Sequence, residues 1–333
     1  MLRKDDFMDA SYPFHVQFHL TDKCNLKCRH CYEGDRKIVN EWEYNELTKA
    51  IDELDTTFTK WNVEGEISLV GGEPMMYSHL PEILRYIRKT KSISRIAILT
   101  NGTLLNDEIK KVILETKVAI QISIDGISED KHDYIRGKGN YKKAIESIKW
   151  LVSHNIEVFV HYVISKYSVP ITKQFIDEMN ELGVKQITFS LVVPMGSSDK
   201  SIMLNKEELK TVYSELKDYS DSLEDRDMSI NTTRPLWTLL GKAGRCPVGI
   251  QTITILPDGT VLPCRRLPIP VGNIKEESLF SIWYTSEVLW NLRKREMFDK
   301  CGSCSHLDNC GGNRCIAYAV TGNYMGEDPQ CWM

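Results

Sequence analysis

The apolar residues of the first two hundred positions follow two rhythms that take turns. Short runs at 14–20 (FHVQFHL), 67–70, 95–99, 118–124, 157–164 and 186–193 have the length of buried strands. Between them the spacing becomes helical. Leu47, Ile51 and Leu54 mark a helix over 40–54 with Asn40 as its N-cap, and 79–88, 105–114, 141–152 and 171–182 repeat the pattern. Such alternation predicts an α/β fold, a parallel sheet with right-handed crossovers. Six units allow a doubly wound sheet or an incomplete barrel. Unusual residues choose between them: Cys24, Gly71 to Glu73, Asn101-Gly102, Ser123 and Asp125-Gly126 each follow a strand. A barrel brings all strand ends to one rim, whereas a doubly wound sheet gathers ligands at one switch point. The prediction is a partial (β/α)6 TIM-like barrel over residues 1–204.

The rhythm then breaks. Residues 204–234 are charged and helix-prone, which predicts a bridging helix with a solvated face in a linker at 205–242. A third region, 243–333, opens with apolar stretches at 250–257 and 260–264 around Asp258-Gly259, a β-hairpin signal.

Composition narrows the function classes. With 42% apolar and 26% charged residues in 333, the chain has enough apolar surface to fold into a core. Its charge of 42 − 46 = −4 argues against a sequence-independent grip on nucleic acid or acidic lipid. The start, MLRKDDFMDA, lacks the apolar centre of a signal peptide, and no apolar run has the length of a membrane span. The expectation is a cytoplasmic protein with no nucleic-acid or membrane partner.

In a reducing compartment, ten cysteines read as metal ligands or catalytic groups. Cys24, Cys28 and Cys31 stand together in CNLKCRHC after the first strand. Cys246, Cys264, Cys301, Cys304, Cys310, Cys315 and Cys331 fall in the last quarter. Two metal regions are implied. Three thiols in one short loop suit three corners of an iron–sulfur cluster; zinc would ask for a fourth ligand, for which His30 is the neighbour on offer. By spacing alone, Cys301, Cys304, Cys310 and Cys315 would also serve a zinc ribbon.

The motif CNLKCRHC in the loop after the first strand resembles the radical S-adenosylmethionine (SAM) enzymes. That resemblance implies a 4Fe-4S cluster on Cys24, Cys28 and Cys31, with an open iron for SAM and formation of a 5′-deoxyadenosyl radical. Gly71, Gly72, Glu73 and Pro74 match the family's GGEP element, whose carbonyls and carboxylate would receive the SAM ammonium. Ser123 in SIDG is similar to a ribose-contacting serine, with Asp125 either beside it or simply a turn residue. Arg136 in HDYIRG resembles the arginine that pairs with the SAM carboxylate. Asn101 reads as a turn residue near the site, and Tyr32 as packing near the cluster.

The seven late cysteines, with Gly259 and GNIKEESLFSIW, resemble the SPASM extension of this family, which binds auxiliary iron–sulfur clusters. The likeness departs at Cys310 and Cys315, where four residues stand instead of the usual three. It implies Cys301, Cys304, Cys310 and Cys331 for one cluster and Cys246, Cys264 and Cys315 for another, three clusters in all. Seven thiolates leave one position for a carboxylate or for substrate. The implied activity is that of a peptide maturase that forms thioether or carbon–carbon crosslinks in a ribosomally made peptide. Its implied partners are the peptide, a leader-binding protein and a reductant such as flavodoxin or ferredoxin. With little sequence before the first strand, no separate N-terminal recognition domain is expected. A dehydrogenase or epimerase of an aminoglycoside or cyclitol is the alternative. A sulfatase-type maturase ranks lower, since Arg265 and Arg266 stand where those enzymes carry an acid after the hairpin cysteine. A zinc-binding non-enzyme ranks last.

Overall fold

The computed structural model describes residues 13–34, 39–223, 227–232, 235–242 and 245–333. The domain start expected near Ala243 lies outside these residues, as does the N-terminal stretch read for a signal peptide.

The expected alternation is present. β1 (Phe14–His19) leads to α1 (Tyr44–Trp61), β2 (Gly65–Val70) to α2 (Leu80–Ile87), β3 (Ile93–Thr100) to α3 (Asp107–Thr116). β4 (Ala119–Ser123) is followed by two helices, α4 (Glu129–Arg136) and α5 (Asn140–Ser153); then come β5 (Val158–Ile164), α6 (Lys173–Glu181), β6 (Gln186–Leu191) and α7 (Lys206–Asp221). Local chemistry sets several boundaries. The Asn106 and Thr172 side chains accept from the N-terminal amides of α3 and α6, and Asn205 with Glu208 forms a reciprocal capping box on α7. Helix α1 starts later than expected. Asn40 is not its cap, because the Asn40 backbone is exchanged with Asp22 in the loop after β1, and Glu43 takes the cap position instead.

The linker holds more than a helix. After α7, β7 (Ser229–Thr232) adds a further parallel strand to β6. Its four residues are too short and too polar to register as a strand by pattern.

One ten-stranded sheet runs in the order β10-β9-β8-β1-β2-β3-β4-β5-β6-β7. From β1 to β7 the order follows the chain and every pairing is parallel. From β1 to β7 no described strand reverses the order, so these strands wind one way, as those of a partial barrel do. The late hairpin is part of the same sheet: β8 (Thr252–Ile255) pairs parallel with β1, β9 (Thr260–Leu262) antiparallel with β8, and β10 (Gly272–Asn273) with β9. Gly259 turns the hairpin at φ 90°, a conformation that favours glycine.

The rest of the C-terminal region comprises α8 (Leu279–Thr285), α9 (Glu287–Arg293), α10 (Asp299–Gly302) and α11 (Arg314–Thr321). It packs on the barrel through aromatic rings: Trp283 of α8 lies 4.9 Å from Phe14 and 6.1 Å from Trp61. All three are buried, so the apolar core runs without a break from the first strand to the cysteine-rich end.

Candidate functional site

The cysteine loop after β1 is laced to the ends of the strands around it. Gly72 N–H donates to the Thr21 carbonyl and Glu73 N–H to the Lys23 carbonyl, both at 2.8 Å. The approach is close enough to require the glycines: a Cβ on Gly71 would stand 2.6 Å from Thr21 O, and one on Gly72 2.5 Å from Lys23 O. Glu73 is 1% exposed. Its carboxylate accepts from the Thr100 hydroxyl at 2.6 Å, Asn101 N–H at 2.8 Å and Met75 N–H at 3.1 Å, tying the second strand end to the third. Burial raises its pKa while these donors oppose the rise. With three donors bound, one lone-pair direction remains for a further cation or donor.

Asn101 belongs to the same lacing. Its side-chain amide donates to Asn25 Oδ1, and Asn25 in turn donates to Thr103.

At the fourth strand end, Asp125 is fully buried and holds three elements. It accepts from His30 Nε2 at 2.7 Å, from Val163 N–H at 2.7 Å, and from Arg136 Nε. Burial alone would raise its pKa, but the Arg136 and His30 charges win and hold the carboxyl well below the usual range. Arg136, the last residue of α4, also directs Nη1 at Cys28 Sγ, 3.9 Å away. Arg136 therefore stands between a buried carboxylate and the cysteine loop. Desolvation pushes the thiols of Cys28 and Cys31 up, and at Cys28 Arg136 opposes it. Ser123 ends β4 half-buried, opposite His161 of β5. Beyond β6, Ser197 N–H donates to the Cys31 carbonyl, and Gly196 packs on Gly34 so tightly that either Cβ would clash with backbone.

The late cysteines separate into two neighbourhoods. Cys315 lies near Arg266, Cys264 and Cys246; desolvation pushes its thiol up to about 12, with Arg266 opposing and both cysteines adding. Cys310 and Cys331 instead share Cys301 as a neighbour, while Asp328 acts on both sets. Cys304 joins Cys301 through a one-turn loop, its N–H donating to the Cys301 carbonyl at 3.2 Å. Arg265 connects the two halves of the chain, its guanidinium lying 5.7 Å from the ring of Tyr32, next to Cys31.

The donor set fits iron–sulfur clusters. Leu26 N–H and His306 N–H each point at a cysteine sulfur, Cys24 and Cys304, at 3.5 Å, and Arg314 Nη2 points at Cys301 Sγ at the same distance. Donors aimed at sulfur are the outer contacts such clusters use. Among the described residues, no three His, Cys, Asp or Glu side chains crowd together as ligands of one ion would. A cubane asks for a wider spread, since each thiolate holds its own iron.

Sequence reasoning missed His30 as an anchor, as well as His132, Thr100, Asp328 and Arg295. The polar run EDKHDYIR of α4 gave no helical signal, so the partner of Asp125 could not be placed on an element. Asp328 is buried and receives Asn313 and Gln330, an arrangement no local pattern announces.

The chain also matches known proteins along its length. The profile of the Radical SAM superfamily covers residues 18–169, and that of the SPASM iron-sulfur cluster-binding domain covers 246–306. An AdoMet-dependent heme synthase of Methanosarcina barkeri is 30% identical, over 95% of this chain and 95% of its own. The subtilosin biosynthesis protein AlbA of Bacillus subtilis is 28% identical over 90% of this chain and 67% of its own. Among solved structures, SuiB of Streptococcus suis bound to S-adenosylmethionine superposes with a TM-score of 0.78 at 17% identity, covering 97% of this chain and 78% of that one, a likeness of fold. Among the described residues, no helix is long and apolar enough to cross a membrane. With the cysteine loop on a parallel partial barrel and the late hairpin on the same sheet, these matches make the chain a radical SAM enzyme with a C-terminal SPASM iron–sulfur domain.

Proposed function

We propose that this enzyme is a maturase that oxidises a ribosomally made peptide to a crosslinked product, a thioether or a carbon–carbon bond. One observation carries the reading: the ten cysteines fall into a rim set and two late neighbourhoods, joined through one sheet and through Arg265 over Tyr32. Oxidation needs a place for electrons to go, and the late sets provide it.

In this reading, Cys24, Cys28 and Cys31 hold one 4Fe-4S cluster, Cys246, Cys264 and Cys315 a second, and Cys301, Cys304, Cys310 and Cys331 a third. The region 1–204 forms the catalytic barrel, 205–242 the linker and 243–333 the auxiliary domain. When bound, the first cluster and SAM supply a 5′-deoxyadenosyl radical. The chain's own residues do the positioning. Gly71 and Gly72 let the SAM-binding backbone approach the cysteine loop, while Glu73 and Pro74 shape the edge that takes the SAM ammonium. Ser123 would take the ribose. Asp125 fixes Arg136 beside Cys28, where its remaining donors would receive the SAM carboxylate. A peptide substrate is supported by SuiB, which has a solved structure bound to the precursor peptide SuiA, and by AlbA's role in subtilosin biosynthesis. A leader-binding protein and a low-potential reductant complete the system.

A second reading is favoured by the near full-length match to the heme synthase: an iron tetrapyrrole as substrate. One experiment separates the two. The reconstituted enzyme is incubated anaerobically with reductant and SAM, either with the peptide encoded beside its gene or with an iron porphyrin. Formation of 5′-deoxyadenosine with a peptide mass loss of two hydrogens supports the maturase. Turnover on the porphyrin alone supports the second reading and overturns the first.

A further inference from the structure

Between the two late cysteine neighbourhoods lies a small cleft lined by Cys246, Arg295, Cys310, Gly312 and Arg314, among others. Arg295 is 8% exposed. Its Nη2 donates to the Cys246 carbonyl at 2.9 Å. Its Nε and Nη1 are buried, and among the described residues they have no hydrogen-bond partner and form no ion pair. The groups that act on it are two further cations, Arg245 and Arg314, and the thiols of Cys246 and Cys310.

A buried guanidinium with two unmet donors and cations for neighbours costs free energy unless an anion meets it. The two cysteines that line this cleft beside Arg295, Cys246 and Cys310, belong to opposite sets. A thiolate-ligated iron–sulfur cluster carries negative charge and sulfur acceptors, and hydrogen bonds to those sulfurs stabilise its reduced form. Gly311 and Gly312 leave room beside the guanidinium: a Cβ on Gly311 would stand 3.3 Å from Arg295 Nη1, and one on Gly312 2.3 Å from Arg314 Nη2. We infer that Arg295 donates its free Nε and Nη1 hydrogens to the auxiliary clusters on either side and raises their reduction potentials, so that they accept electrons from the substrate radical. Arg295 is thus a tuning residue for electron removal, placed between the two acceptors. The inference rests on the assignment of the late cysteines to iron–sulfur clusters.

The test is an EPR-monitored redox titration of the reconstituted full-length protein and of Arg295→Gln and Arg295→Lys. Arg295→Gln should keep its iron and lower the midpoint potential of at least one auxiliary cluster. Arg295→Lys, which keeps the charge and loses the planar fork, should lower it less. The SAM-binding cluster serves as the internal reference and should not move. Unmoved auxiliary potentials with iron retained would overturn the inference. So would loss of auxiliary iron from both variants with the first cluster intact, since that marks a purely structural role. Zinc in place of iron in the wild-type late sites would instead sink the cluster assignment itself, which distinguishes the two failures.

Discussion

His30 Nε2 and Asp125 Oδ2 meet at 2.7 Å although 95 positions separate them in the chain. His30 sits inside the cysteine motif and Asp125 just past the end of β4, so this bond clamps the loop across the rim. Because Arg136 grips the same carboxylate oxygen, one buried anion sets both the loop and the cation beside Cys28.

Asp125→Asn should therefore destabilise the fold strongly. It leaves Arg136 buried without its counter-charge, a change that costs about 3–5 kcal/mol in comparable buried pairs. Urea unfolding should show the loss as a lower midpoint. A midpoint within error of the wild type would mean that the Arg136 charge finds another partner.

Gly72→Ala tests the lacing of the cysteine loop to the second strand. The new Cβ would lie 2.5 Å from Lys23 O, so the backbone must part just where the loop begins. We expect loss of roughly four irons per chain, the content of one 4Fe-4S cluster, and of SAM cleavage, with the late clusters retained. Full iron and activity in the variant would show that the loop yields without harm.

The pH dependence of stability should carry the signature of His132, which is 1% exposed. Burial, with Arg136 adding, pushes its pKa down to about 4, against about 6.5 in an unfolded chain. Between those values the unfolded state binds a proton that the folded state refuses. Stability must then fall as pH is lowered from about 6.5 to about 4, by at most about 1.4 kcal/mol per pH unit from this group. His132→Gln removes the titration and should flatten the slope in that window. Equal slopes in the two proteins would show that His132 titrates normally.

The cysteine sets should separate kinetically. Cys24→Ala should abolish 5′-deoxyadenosine formation outright. Cys315→Ala should retain the cleavage of SAM and lose the oxidised product, because the proposed function puts radical formation and electron removal at different ends of the chain. Equal loss of both activities in Cys315→Ala would place its neighbourhood in the first step.

The sequence by itself determined the alternation of strand and helix, because each element buries one face and the apolar period records that face. It also determined the cysteine chemistry, since CNLKCRHC and the crowded late cysteines are local spacings that a cluster demands. Short or polar elements left no such record. β7 has four residues, and α4 buries little beyond His132 and Ile135, so neither stood out from solvated chain. Only the tertiary structure decided that β8 pairs with β1 and makes the late hairpin part of the barrel's sheet. It alone set Asn40 on Asp22 rather than on a helix end, joined His30 and Arg136 to Asp125, and left Arg295 with unmet donors between two sets of thiols. The His30 and Arg136 contacts with Asp125 join residues far apart in the chain whose polar side chains are buried or nearly so. Their stability comes from desolvated charge meeting charge across strand ends, a quantity with no period along the chain.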